Sequence, residues 1–337
     1  MGNPTELYLP LLNHPDPEVR HQSATLLLAT YGERGLTYLR RLLDSPTPAI
    51  QTAARNALLA IADTSGIHVE LRPFRGVYVR CLGELRVFLN SYELQTGDWG
   101  NEESGRAGGR KVQGLFAFLI HRGRHGATRS EIAAAVWGTE VSTVSISRTL
   151  GALRQVLTRC GSPELTSHLL ISNRERIALN PAAYLCDADH FERTFELACQ
   201  REDQDGLGAA QPLYHQVLSL YDGPYMEGFA RGSDWGQERR DLIASSYVIA
   251  AERLAQHAYE HRSDRQCLNI CRQALVLDPT DDDLTIWILR AYARQGLWVD
   301  MELAFQNYLA VAEVDPTSVD NPVCQVYASL TPPVALA

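Results

Sequence analysis

The stretch "GVYVRCLGELRVFLNSYELQ" (76–95) alternates apolar and polar residues, with Leu85, Val87 and Leu89 on one face, inside a chain otherwise patterned for helices. A period of two places successive side chains on opposite faces of an extended strand. The stretch therefore predicts a small antiparallel sheet, with Asn90-Ser91 as a turn. "HLLISNRERIALNP" (168–181) gives a second such signal, two short strands around a polar tip at Asn173 to Arg176. The expected fold is mainly α with a small β component.

Between the two strand regions the period changes. "TGDWGNEESGRAGG" (96–109) is polar and glycine-rich and reads as a loop. From Arg110 to Arg122, Val112, Leu115, Phe116, Leu119 and Ile120 form one apolar helical stripe. Thr128 and Glu131 make a T-x-x-E capping box for a short helix carrying Ile132, Val136 and Trp137. After a turn at Gly138 to Val141, "VSTVSISRTLGALRQVL" (141–157) buries Ile146, Leu150, Leu153 and Leu157, with Ser142 or Thr143 as its cap. Sheet, three helices and hairpin, in that order, make a winged helix-turn-helix over residues 67–187.

The flanks are helical. "LLNHPDPEVRHQSATLLL" from Leu11 recurs as "LLDSPTPAIQTAARNALL" from Leu42, an offset of 31 residues, with helices opening on Val19 and Ile50 beside Pro17 and Pro48. This resembles HEAT repeats over residues 1–66, with an ordinary helical bundle as the alternative. The segment 188–337 reads as helical throughout. "VLDPT" (276–280) recurs there as "EVDPT" (313–317), and Gly296 lies between them, which resembles tetratricopeptide helix pairs.

Charge is uneven along the chain. The 337 residues carry a net charge of -9, yet residues 68–187 hold 15 basic against 11 acidic groups. Residues 188–337 hold 11 against 23. The acidic total thus leaves room for a nucleic-acid partner in the middle segment. On the helix at 142–158, Ser145, Thr149 and Ala152 are small enough for close approach to bases, Gln155 follows them, and Arg148 would reach guanine or phosphate. Arg110, Lys111, Arg154 and Arg159 are candidate phosphate contacts, and Arg174 and Arg176 at the hairpin tip would enter the minor groove.

Several stretches in order carry a family resemblance: "LGELRV" (82–87), "LFAFLIHRGRHGATRSEIAAAVWG" (115–138), "TLGALRQVL" (149–157), "CDADHFERTFELA" (186–198) and "ALVLDPTDDDLTIWILRAYARQG" (274–296). Over residues 77 to about 331 the chain resembles the SARP family, the Streptomyces antibiotic regulatory proteins. These join an OmpR-like winged helix to a bacterial transcriptional activator domain. The resemblance implies binding to double-stranded promoter DNA and recruitment of RNA polymerase, with the reading helix at 142–158 and the wing at 170–180. It also implies a regulator in the cytoplasm, with the helical repeats serving a homodimer, a signal input or another protein partner. The chain departs from the family in the glycine-rich insertion at Gly100 to Gly109 and in "RERIAL", which replaces a Gly-Tyr pair in the wing.

Other chemistries find little support in the sequence. "GRAGGRKV" (105–112) misses the spacing and final hydroxyl of a nucleotide-binding P-loop. Cys267 and Cys271 read as core thiols, since His261 alone does not complete a metal site. His68-x-Glu70 lacks the P-C-x-x-C of a deaminase, and Glu102 and Glu103 read as a solvated pair. "DPTDDD" (278–283) lacks the glycine of a calcium loop, and Asp281 or Thr280 reads as a helix cap. Seven scattered cysteines read as reduced thiols, and no apolar run reaches the roughly 18 residues that span a membrane. The first residues lack the pattern of a signal peptide. The expectation is a transcriptional regulator, not an enzyme, without cofactor or metal. The alternative is an adaptor that keeps this scaffold and has lost DNA.

Overall fold

The computed structural model describes residues 8–331, apart from 46, 68, 70, 72–75, 90–91, 101–104, 140, 174 and 230–234. The Asn90-Ser91 turn, His68, Glu70, Glu102 and Glu103 lie outside the described residues. The chain divides into two compact units, residues 1–191 with 219–241, and residues 192–218 with 242–337.

Four helices open the first unit: α1 (Tyr8–Leu12), α2 (Pro17–Tyr31), α3 (Glu33–Leu42) and α4 (Pro48–Ser65). Helices α2 and α4 begin on the two prolines themselves, two residues before Val19 and Ile50. Proline has no N–H to waste at the first helical position and its φ is already helical. Asp16 caps α2 by accepting the Glu18 N–H at 2.9 Å. Leu12, Ala24, Leu27, Leu39, Ala57, Leu58 and Ile61 form a fully buried core between these helices.

The alternating stretch becomes β1 (Val77–Arg80), β2 (Arg86–Leu89) and β3 (Tyr92–Glu93). The strands pair antiparallel, with Val77 opposite Leu89 and Phe88 opposite Glu93. A fourth strand, β7 (Tyr184–Cys186), joins the far edge in parallel, with Val79 beside Cys186. The sheet order is therefore β3-β2-β1-β7. Next come α5 (Gly105–Arg122), β4 (Ala127–Thr128), α6 (Arg129–Trp137), α7 (Thr143–Cys160) and α8 (Pro163–Leu169), then β5 (Leu170–Ser172) and β6 (Arg176–Leu179). Strands β4, β6 and β5 form a second sheet in that order.

The helix α5 corrects the expected loop, since it starts at Gly105 within the glycine-rich stretch. Gly109 explains part of this, because a Cβ there would lie 3.2 Å from the Gly100 nitrogen and 3.3 Å from the Trp99 carbonyl carbon. The missing side chain lets the helix lie against the preceding turn. The helix α8, capped by Ser162, adds a fourth helix to the expected three.

Helices α9 (Asp187–Asp205), α10 (Leu207–Leu220), α11 (Gln237–Glu260), α12 (Asp264–Ala274), α13 (Asp282–Gln295), α14 (Trp298–Ala312) and α15 (Pro322–Leu330) complete the described elements. Residues 188–337 are not helical throughout. Around Gly223-Pro224 the chain runs beside residues 81–84, where Met226 donates to the Cys81 carbonyl at 2.6 Å and Glu227 to that of Gly83 at 3.0 Å. The segment pairs through isolated bridges and satisfies main-chain groups of 81–84 that no strand pairs.

In the second unit the recurrent D-P-T is a recurrent turn. Asp278 Oδ1 accepts the N–H and hydroxyl of Thr280 at 3.1 and 2.8 Å, and Asp315 Oδ1 those of Thr317 at 2.7 and 2.6 Å. Asp281, not Thr280, caps α13 through the Leu284 N–H at 2.8 Å. Cys267 and Cys271 are fully buried on α12.

Candidate nucleic-acid interface

Local sequence fixes the helix pair α6–α7. The capping box closes in both directions, with Glu131 N–H on Thr128 Oγ1 at 3.2 Å and Thr128 N–H on Glu131 Oε2 at 2.7 Å. These bonds from Thr128, ahead of the nearby Arg122 charge, hold the Glu131 carboxyl below its usual range. Gly138 ends α6 with its N–H on the Ala134 carbonyl, and Ser142 starts α7 by accepting the Ser145 N–H at 3.3 Å. Ile146, Leu150, Leu153, Val156 and Leu157 bury one side of α7, while Val112, Leu115, Phe116, Leu119 and Ile120 bury that of α5.

The opposite side of α7 is accessible. Val144, Ser147, Arg148, Arg154 and Gln155 are exposed, whereas Ser145, Thr149 and Ala152 are half-buried. The Thr149 hydroxyl donates back to the Ser145 carbonyl at 3.0 Å. Of the expected face of Ser145, Arg148, Thr149 and Ala152, Arg148 is exposed and the other three are half-buried, and Val144 is exposed on the same side as Arg148. Arg148 and Gln155 have no hydrogen-bond or ion-pair partner among the described residues. The Ser147 hydroxyl accepts from Arg129 of α6 at 3.3 Å.

The other predicted cations serve the fold as well. Lys111 donates to the Val136 carbonyl at 2.7 Å and sits over the Trp137 ring, so it caps the C-terminus of α6. Arg154 donates to Ser172 Oγ at 2.7 Å, linking α7 to the hairpin, and Arg159 to the Asp98 carbonyl at 2.7 Å. Arg110 is exposed, with a long contact of 3.5 Å to the Gly228 carbonyl. At the hairpin tip Asn173 Oδ1 accepts the N–H groups of Glu175 and Arg176 at 2.9 and 2.6 Å. Arg176 donates to the His125 carbonyl at 2.7 Å, and Arg174 lies outside the described residues. Sequence reasoning missed Val144, Ser147 and Arg129. The sequence offered one signal, the position of Val144 off the apolar stripe.

Among the described residues one group of metal-type ligands lies close together, Cys81, Cys186 and Asp187, all buried. The two sulfurs are 3.2 Å apart, and Asp187 Oδ1 accepts the Cys81 N–H at 2.7 Å. Burial, then the Cys186 hydrogen bond, pushes the Cys81 thiol well above its usual value. The carboxylate is thus occupied by main-chain donors, and the cluster ties β7 and the start of α9 to the end of β1. No described helix is long and apolar enough to cross a membrane.

Comparison with known proteins finds a partial match and a structural likeness. The bacterial transcriptional activator domain matches residues 186–313. No curated protein matches the chain. A solved structure of Mycobacterium tuberculosis EmbR, in complex with a low-affinity phosphopeptide, superposes with a TM-score of 0.59 at 14% identity. The likeness covers 75% of this chain and 64% of that one, so the chain spans under two thirds of EmbR's length. Residues 186–313 are thus similar to the bacterial transcriptional activator domain, and the fold is similar to that of EmbR.

Proposed function

We propose that the chain binds double-stranded promoter DNA in a sequence-specific way, with α7 in the major groove and the β5–β6 hairpin as the wing. The observation that carries this is Arg148, exposed at the centre of the outward side of α7 with no partner among the described residues. An arginine fork without an internal partner suits a guanine edge or a phosphate. Arg110, Arg154, Arg159 and Arg176 keep further N–H donors for phosphates beyond those they spend on the chain. The helical repeats would then serve dimerisation, signal input or contact with RNA polymerase.

The adaptor reading draws on the same contacts, because Lys111, Arg154, Arg159 and Arg176 are each engaged by the protein itself. Fluorescence anisotropy of the full chain on genomic duplex fragments, titrated with salt, separates the two. Steep weakening with salt supports DNA. Arg148→Ala should then reduce discrimination between sites, whereas Arg110→Ala should weaken all sites alike. Absence of binding at low salt would leave the adaptor.

A further inference from the structure

Three positions along the outer ridge of α7 have no evident task inside the chain. Val144, in the first turn, is 56% exposed. Arg148, one turn on, is exposed and unpaired among the described residues. Gly151, a further turn on, lies in the helix interior, where glycine weakens a helix relative to alanine. A Cβ at Gly151 would meet nothing within 4 Å, so packing within the chain gives no reason for the glycine. Positions i, i+4 and i+7 fall on one helical ridge. An apolar branched group, a fork of donors and a half-buried position without a side chain therefore stand in line on the outward side of the helix. That order suits the edge of a major groove better than an apolar protein surface, which would leave the arginine fork unsatisfied.

We propose that Val144 reads a thymine 5-methyl group and Arg148 the O6 and N7 of a guanine, with Gly151 letting the helix backbone come close to the bases. The proposal rests on the DNA-binding reading above and extends it to base identity. Only thymine presents a methyl in the major groove, and only guanine presents two acceptors matched to an arginine fork. Four residues of helix advance about 6 Å along the axis. At about 3.4 Å per base pair, the two bases should lie within about two base pairs of each other.

The test uses the full chain and a random duplex pool to select the bound sequence. Each thymine is then replaced by uracil, which removes only the methyl, and each guanine by 7-deazaguanine, which removes only N7. One uracil should weaken the wild type about three- to fivefold, the effect of one buried methyl, and leave Val144→Ala unaffected. One nearby 7-deazaguanine should cost about tenfold in the wild type and nothing in Arg148→Ala. Gly151→Ala should keep the helical circular dichroism and weaken the selected site. If the wild type selects a sequence but ignores uracil everywhere, or Val144→Ala shows the same uracil loss, the base assignment falls and DNA binding stands. If the wild type enriches no sequence and binds no duplex, the DNA-binding reading falls and takes this assignment with it.

Discussion

Asp187 and Cys81 are 106 positions apart in sequence, yet the Asp187 carboxylate accepts the Cys81 main-chain N–H at 2.7 Å. The Leu82 N–H reaches the same group at 3.4 Å. Both residues are almost wholly buried, so removing the carboxylate strands main-chain donors away from water. Asp187→Ala should lower the free energy of urea unfolding by about 2–3 kcal/mol. An unchanged unfolding curve would show that the bond holds nothing.

His121 sits among Phe118, Tyr225 and Trp235, with ring centroids 6.5, 6.0 and 5.1 Å away. Burial, followed by the charges of Arg239, Arg122 and Arg240, lowers its pKa from 6.5 to about 4. The unfolded chain therefore takes up a proton at higher pH than the folded one. The stability tied to this group is present above pH 6.5, falls between 6.5 and about 4, and levels off below. Because carboxylates titrate in the same range, the readout is the difference between wild type and His121→Gln. That difference should shrink on acidification over this window, and a constant difference would refute the assignment.

Lys111, a candidate phosphate contact, donates to the Val136 carbonyl at the end of α6. Lys111→Met should lower stability by about 1 kcal/mol while leaving the salt slope of DNA binding as it is in the wild type. A slope reduced by about one unit would return Lys111 to the phosphate contacts.

Gly126, just before β4, has φ +59°, and a Cβ there would lie 2.6 Å from the Ile177 carbonyl oxygen and 2.7 Å from the Ala178 Cβ. Gly126→Ala should cost about 2–3 kcal/mol, through backbone strain and separation of β4 from β6. Thermal unfolding by circular dichroism measures this, and a Tm equal to wild type would contradict it.

The elements that could be read from sequence are those whose cause is local. The stripe of α5, the Thr128–Glu131 box and the Ser142 cap each follow from residues within a few positions. The polar tip at Asn173 is equally local. What escaped depends on distant partners. β7 has only three residues, and it is a strand because β1 offers an edge more than a hundred positions earlier. The stretch around Pro224 is non-helical where it bridges to the main-chain groups of residues 81–84. At the candidate interface the period of 3.6 located Arg148 correctly on the accessible side. It could not show that Ser145 and Thr149 sit half-buried or that Lys111 turns to the Val136 carbonyl. Gly151 left a trace in the sequence, a glycine within an otherwise strong helix, but its meaning required knowing that nothing packs on it.

The strand β7 bears on how such a protein can be assembled by gene fusion. The activator-domain match begins at Cys186, inside β7, and the next residue holds the end of β1. A recombination joint at residue 186 would cut the last strand of the sheet and give the incoming half the carboxylate that its former neighbour needs. The heritable module therefore does not coincide with the family boundary. A joint after Asp187 would keep strand and carboxylate with the helices they serve, yet the stretch around Pro224 that pairs with residues 81–84 would still come from the incoming half.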